Sequence, residues 1–188
     1  MKKILTAALV LALFGAVALA QPVIDGVIGD GEYANSFVDD PTGAVLYWTV
    51  DGDDIHLAFT FPARGWAGIG WLTEKTNRKA GGDILIVTMR DGAPVLLDMF
   101  QESARGEPVM DEAEGGSNSY TAFAATFAND VWTVEATRPL ATGQDTDVDI
   151  VPGEPLILMF AYANVMDVSR AHARSTSGGA HYVEPFTF

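Results

Sequence analysis

The sequence predicts an all-β fold: a single-domain antiparallel β-sandwich of the immunoglobulin-like or jelly-roll-like type. Three observations carry that expectation. Short runs rich in Val, Ile, Thr, Phe, Tyr and Trp recur along the chain, and turn signals such as Asp-Gly and Asn-Asp separate them at close spacing. No window shows sustained helical periodicity, and there are no internal repeats, heptads or long low-complexity segments.

The chain opens on the basic Met1-Lys2-Lys3, runs through the apolar Ile4 to Ala18, and reaches Ala18-Leu19-Ala20 before Gln21. This is the pattern of a secretory signal peptide over residues 1–20, so the mature domain is expected at 21–188 and the protein in the periplasm or outside the cell. The apolar run is short for a membrane span, and no later stretch approaches the roughly 20 apolar residues a spanning helix needs. No Cys begins the mature region, so a lipid anchor is not expected. About 168 residues fit one domain with a sizeable core.

The sequence contains no Cys, which excludes thiol chemistry, thiolate metal sites and disulfides. Removing two Lys and no acids with the signal takes the formal net charge from −14 to −16. Such a charge repels phosphate backbones and anionic membranes, so nucleic-acid binding is not expected; it suits a solvated acidic surface or a basic redox partner.

In chain order, Val23 to Tyr33 reads as an opening strand with Asp25-Gly26 and Gly29-Asp30-Gly31 turn signals. Val45 to Val50 and Ile55 to Phe61 flank the acidic turn Asp51 to Asp54 as a hairpin. Within the second run Ile55, Leu57, Phe59 and Phe61 alternate with His56, Ala58 and Thr60, which makes His56 an outward-facing strand residue. The next strand is Gly65-Trp66-Ala67-Gly68-Ile69-Gly70-Trp71, where the aromatics give large rigid surfaces and the glycines leave room for another backbone or a flat ligand. A Lys/Arg-rich connection from Leu72 to Gly82 follows, unusual in so acidic a chain.

Asp83 to Arg90 and Pro94 to Phe100 form a second hairpin around Asp91-Gly92, and Gln101 to Ser119 reads as an exposed acidic loop. Tyr120 to Ala128, Val131 to Leu140 and Pro155 to Ala163 complete the long strands. The tail carries His172 and His181 in a Ser/Gly-rich stretch and ends in a short apolar strand.

The residues offer little catalytic chemistry. No Ser or His sits in an elbow or triad motif, and choosing two of 25 acids as a glycosidase pair would be arbitrary. Phosphate-cradling loops, HExxH and EF-hand patterns are absent. An independent enzyme is therefore not expected, and ligation by His, Met or Lys is the chemistry left.

The ordered fragments resemble the DOMON family, secreted β-sandwiches that bind haem or sugars. Ile24-Asp25-Gly26 with Gly31-Glu32-Tyr33 is similar to the family's IDG…GEW start, and Gly65 to Trp71 to its W-x-G-I-G strand. Gly81-Gly82-Asp83-Ile84 is similar to its M-x-G-x-D element, and Val131 to Leu140 to its W…E…R-P-L strand. The resemblance covers most of the mature chain.

In haem-binding members the axial ligands are a Met before the G-x-D element and a His in the C-terminal segment. By residue order the resemblance puts Lys79 in the Met position, four residues before Asp83, and His172 in the His position, with His181 and Met166 in reserve and Trp66 and Trp71 walling the pocket. A Lys can ligate iron when its amine is neutral, which burial favours. The resemblance thus implies a b-type haem domain that passes single electrons to a redox partner, or a haem-free module holding a sugar or other small ligand against exposed aromatics.

Overall fold

The structure is a computed structural model that describes residues 21–74, 79–173 and 179–188. The proposed signal peptide and part of the basic connection lie outside the described residues. Among the described residues, eleven strands form two antiparallel sheets packed as a sandwich, with no closed barrel. The first sheet holds β1 (Asn35–Asp39), β2 (Ala44–Asp51), β3 (Asp54–Pro62), β8 (Ala122–Ala128) and β9 (Val131–Pro139) in the order β1-β2-β3-β9-β8. The second holds β4 (Ala67–Leu72), β5 (Gly82–Arg90), β6 (Ala93–Gln101), β7 (Val109–Met110), β10 (Leu156–Tyr162) and β11 (Ala180–Phe186) in the order β11-β10-β4-β5-β6-β7.

Period-two alternation builds the core from both sheets. Ile55, Leu57, Phe59 and Phe61 of β3, with Trp132, Val134 and Ala136 of β9, meet Ala67, Ile69, Trp71, Leu85, Val87, Leu158 and Phe160 of the other sheet. Aromatic pairs bridge the layers, including Phe37 with Phe160 at 6.2 Å and Trp48 with Phe186 at 5.5 Å between ring centroids. The tight hairpins are explained by residues that tolerate positive φ: Asp91 and Gly92 join β5 to β6, and Asn129 and Asp130 join β8 to β9.

Three segments differ from the sequence-based expectation. Val23 to Tyr33 is not a strand. It is held against the outer face of the first sheet by Glu135, whose Oε2 accepts the backbone N–H groups of Asp25, Gly26 and Val27 at 3.0, 2.6 and 3.1 Å while Oε1 accepts the Tyr33 hydroxyl at 2.7 Å. Three successive amides converging on one carboxylate make an anion nest, and this turned backbone cannot also run as a strand.

The acidic loop after β6 contains β7 and a 3-10 turn at Asp111–Glu114. His56 does face away from the core, yet it is buried, because Thr137 Oγ1 lies 2.8 Å from its Nδ1 and Gln21 of the opening segment packs over it.

Candidate functional site

The run from Gly65 to Trp71, which leads into β4, presents two faces. Ala67, Ile69 and Trp71 point into the sandwich, whereas Trp66, Gly68 and Gly70 face outward with Ile84 and Ile86 of β5 and Met159 and Ala161 of β10. The glycines are required by close approach. A Cβ at Gly65 would lie 2.1 Å from the Val165 backbone, at Gly68 2.8 Å from Leu85 O, and at Gly70 2.6 Å from Asp83 O. Gly68 and Gly70 leave a flat floor between ridges of Ile84 and Ile86 on one side and Met159 on the other.

Above this floor is a cleft of about 680 Å³, within the range of small-molecule and cofactor sites. Its walls come from three loops: Lys79 before β5, Ala104 to Pro108 after β6, and Val168 to His172 after β10. Trp66 holds the last of these by donating its indole N–H to Arg170 O at 3.2 Å. Lys79 reaches across to the second loop, its Nζ donating to Gly106 O at 3.0 Å, and burial pushes its pKa down. His172 is exposed at the mouth, with Nδ1 2.7 Å from Ala173 O. A carbonyl oxygen only accepts, so Nδ1 is the donor and Nε2 is the ring nitrogen not engaged by this bond.

Four of the six candidate residues line this cleft: Lys79, His172, Trp66 and His181. His181 lies at the edge, where its Nδ1 donates to the buried Asp39 Oδ1 at 2.5 Å and so clasps β11 to β1 of the other sheet. It belongs to a strand and not to a loop, since its backbone pairs with Phe160 of β10.

Trp71 does not wall the cleft. Five positions after Trp66, it faces the opposite way, fully buried, and donates its indole N–H to Val148 O at 3.2 Å. Met166 does not line it either; it packs against the sandwich core and its carbonyl accepts the Thr88 hydroxyl at 2.5 Å. The methionine in the cleft is Met159, whose parity on β10 opposite Gly70 was the readable sign of its outward direction.

The rim is basic. Lys79, Arg105 and Arg170 line the cleft beside a single acid, Glu107, in a chain with 11 Lys and Arg residues and a formal charge of −14. That concentration favours a ligand with anionic groups.

On the inner face of the same strand pair, Asp83 anchors the start of β5. Its Oδ2 accepts Arg138 NH1 at 2.5 Å and the Val148 N–H at 3.1 Å, and the Arg138 guanidinium lies 5.2 Å from the Trp71 ring centroid. Burial pushes the Asp83 carboxyl up to about 6, against the opposing pull of Arg138. Burial also disfavours the Arg138 cation, but the neighbouring Asp83 and Asp147 outweigh it and the pKa is raised.

These features define an antiparallel β-sandwich with a ligand cleft on the outer face of one sheet. The DOMON domain model matches residues 40–163, and the chain belongs to that family. Among solved structures the chain is similar to the cytochrome domain of Myriococcum thermophilum cellobiose dehydrogenase, at 12% sequence identity over 68% of this chain and 73% of that one, with a TM-score of 0.48. No curated protein matches the sequence.

Proposed function

We propose that the chain is an exported DOMON domain that holds a b-type haem in this cleft and passes single electrons, and that it is not an independent enzyme. The observation that carries the reading is the donor set: an imidazole and a lysine amine at one cleft with an apolar, glycine-flattened floor. The residues fit the group. A ligating His almost always gives its other ring N–H to a carbonyl or carboxylate, which is what His172 does with Ala173 O. The Lys79 amine is shifted by burial toward the neutral form that ligation needs. Met159 is a third donor at the floor, and Arg105 and Arg170 supply positive charge for the propionates.

The haem, when bound, supplies a one-electron iron couple whose potential its ligands and surroundings set. The chain's part is to hold the macrocycle between Trp66, Ile84 and Ile86, exclude water from its inner edge and present the donors. The acidic surface attracts a basic redox partner. A sugar held by stacking is favoured less, because no aromatic side chain among the described residues is exposed.

Reconstitution of the mature protein with haem tests the proposal. A stoichiometric Soret band with a low-spin spectrum is the expected result, lost in His172→Ala and altered in Lys79→Ala. Failure to acquire any Soret band refutes it, and calorimetric binding of glycans to the apo protein would then support the sugar reading.

A further inference from the structure

His172 ends a loop, Ala163 to His172, that leaves β10 and comes back to it. The Ala173 N–H donates to Tyr162 O at 2.8 Å, so the loop closes on the residue from which it starts. Gly179 seals this neck: its carbonyl accepts the Tyr162 N–H at 3.1 Å, and a Cβ in its place would lie 2.2 Å from Ala173 O. That oxygen is the one His172 Nδ1 contacts. Compact surface loops whose ends meet in this way frequently carry functional side chains.

Backbone contacts hold the start of the loop as well. Trp66 O accepts the Ala163 N–H at 2.8 Å, and the Gly65 and Trp66 N–H groups donate to Ala163 O and Val165 O, each at 3.0 Å. The crown, Met166 to Arg170, turns on Asp167, whose Oδ1 accepts the Ser169 N–H and hydroxyl at 3.0 and 2.7 Å and whose carbonyl accepts the Arg170 N–H at 3.1 Å.

Two side chains of the sheet reach up to that crown. The Thr88 hydroxyl donates to Met166 O at 2.5 Å and the Trp66 indole N–H to Arg170 O at 3.2 Å. They stand together at one end of the floor. Ala67 pairs with Val87, so Trp66 and Thr88 are the next positions outward from that pair, in line with the outward rows Gly68-Gly70 and Ile84-Ile86.

Both residues are buried. Thr88 closes an apolar row where a valine would pack equally well, and burying its hydroxyl is favourable only because the hydroxyl is bonded. Removing either donor leaves a loop carbonyl short of a partner, and the crown must move to regain one. Arg170 is two residues before His172, so such a movement reaches the imidazole.

We propose, building on the haem reading, that Trp66 and Thr88 are positioning residues for His172: their hydrogen bonds hold the crown of its loop and thereby set the imidazole at the cleft mouth. Trp66 then serves the site twice, with its ring on the wall and its N–H on the loop. Thr88 serves it without touching the bound group. Changes to partners of this outer kind typically weaken metal binding by about 10–100-fold, because the ligand is no longer held in place.

Haem titrated into the haem-free mature forms of the wild type, Trp66→Phe and Thr88→Val tests it. Phe keeps an aromatic ring and Val the shape of Thr, so each change removes a donor. Expected in each variant are about 10–100-fold weaker haem binding and a ferric spectrum shifted from low-spin toward high-spin, with the far-ultraviolet spectrum unchanged. Free imidazole should restore the low-spin spectrum, since the placement of one ligand is what has been lost. Wild-type affinity and an unchanged low-spin spectrum in both variants overturn the proposal and leave the haem reading standing. A high-spin spectrum that imidazole does not restore also overturns it, because the two residues then support the wall and not His172. A wild-type protein that acquires no Soret band ends the haem reading and the positioning role with it. Should Trp66→Phe not fold, Thr88→Val decides by the same measurements.

Discussion

Replacing Glu135 by Gln keeps the side chain's shape and removes its charge, which isolates what the anion nest contributes. The carboxylate is 0% exposed and accepts four hydrogen bonds, three from consecutive amides and one from Tyr33. A bond to a charged group contributes about 1.5–3 kcal/mol and a neutral one about 0.5–1.5 kcal/mol, so each bond loses on the order of 1 kcal/mol.

The three amides share one oxygen and do not add independently, which brings the expected loss to about 2–4 kcal/mol. For a domain of this length that is a fall of roughly 4–16 °C in Tm. Urea unfolding followed by tryptophan fluorescence measures it, with the midpoint falling at constant slope. Limited proteolysis should show earlier cleavage between Gln21 and Tyr33. A loss below about 0.5 kcal/mol, the size of an ordinary surface change, would refute the reasoning.

Three further outcomes follow from the same contacts. Gly70→Ala, whose Cβ would fall 2.6 Å from Asp83 O and 3.1 Å from Met159 Cε, should cost about 1–3 kcal/mol by overpacking and weaken haem uptake; denaturation and haem titration report the two effects separately. Arg138→Met strips the guanidinium from a buried acidic cluster and should destabilise by about 3–5 kcal/mol in chemical denaturation, with Arg138→Lys in between. His181→Ala leaves the buried Asp39 without its cross-sheet partner, so stability should drop by about 1–3 kcal/mol and amides of β1 and β11 should exchange faster. The visible spectrum of the haem-loaded variant should not change; a changed spectrum would make His181 a ligand.

The strands were legible because their signals are local. Alternation placed β2, β3, β5, β6, β8, β9 and β10, and Asp91-Gly92 and Asn129-Asp130 marked the hairpins through residues that accept positive φ. The opening segment misled because Val23 and Ile24 carry strand propensity, while its conformation is decided by Glu135 more than a hundred positions away.

The site was legible in part. Lys79, His172 and Trp66 come together as order in the sequence suggested, and the basic connection before β5 announced the charged rim. Trp71 and Met159 were readable by parity but not by proximity in sequence: Trp71 follows Trp66 by five positions and faces away, while Met159 reaches the cleft through pairing of β10 with β4. The acidic cluster was not legible, since Asp83, Asp98, Asp111 and Asp147 come from four separate elements and look like four of many surface acids.

The two faces of β4 and β5 explain how the cleft is shaped. Inward, Trp71 and Asp83 are fixed by Val148 and Arg138; outward, Gly70 and Ile84 form the floor one residue away from each on the same strands. A shift of Asp83 therefore moves Ile84 with it, and the chain reaches Lys79 four residues earlier through Gly82, whose N–H donates to Lys79 O at 3.0 Å. The rigidity of the inner network is thus transmitted to the position of the lysine by short covalent and backbone hydrogen-bonded links. On the proposed haem reading, a loop lysine so tethered would lose less conformational entropy on ligation than one on a free loop.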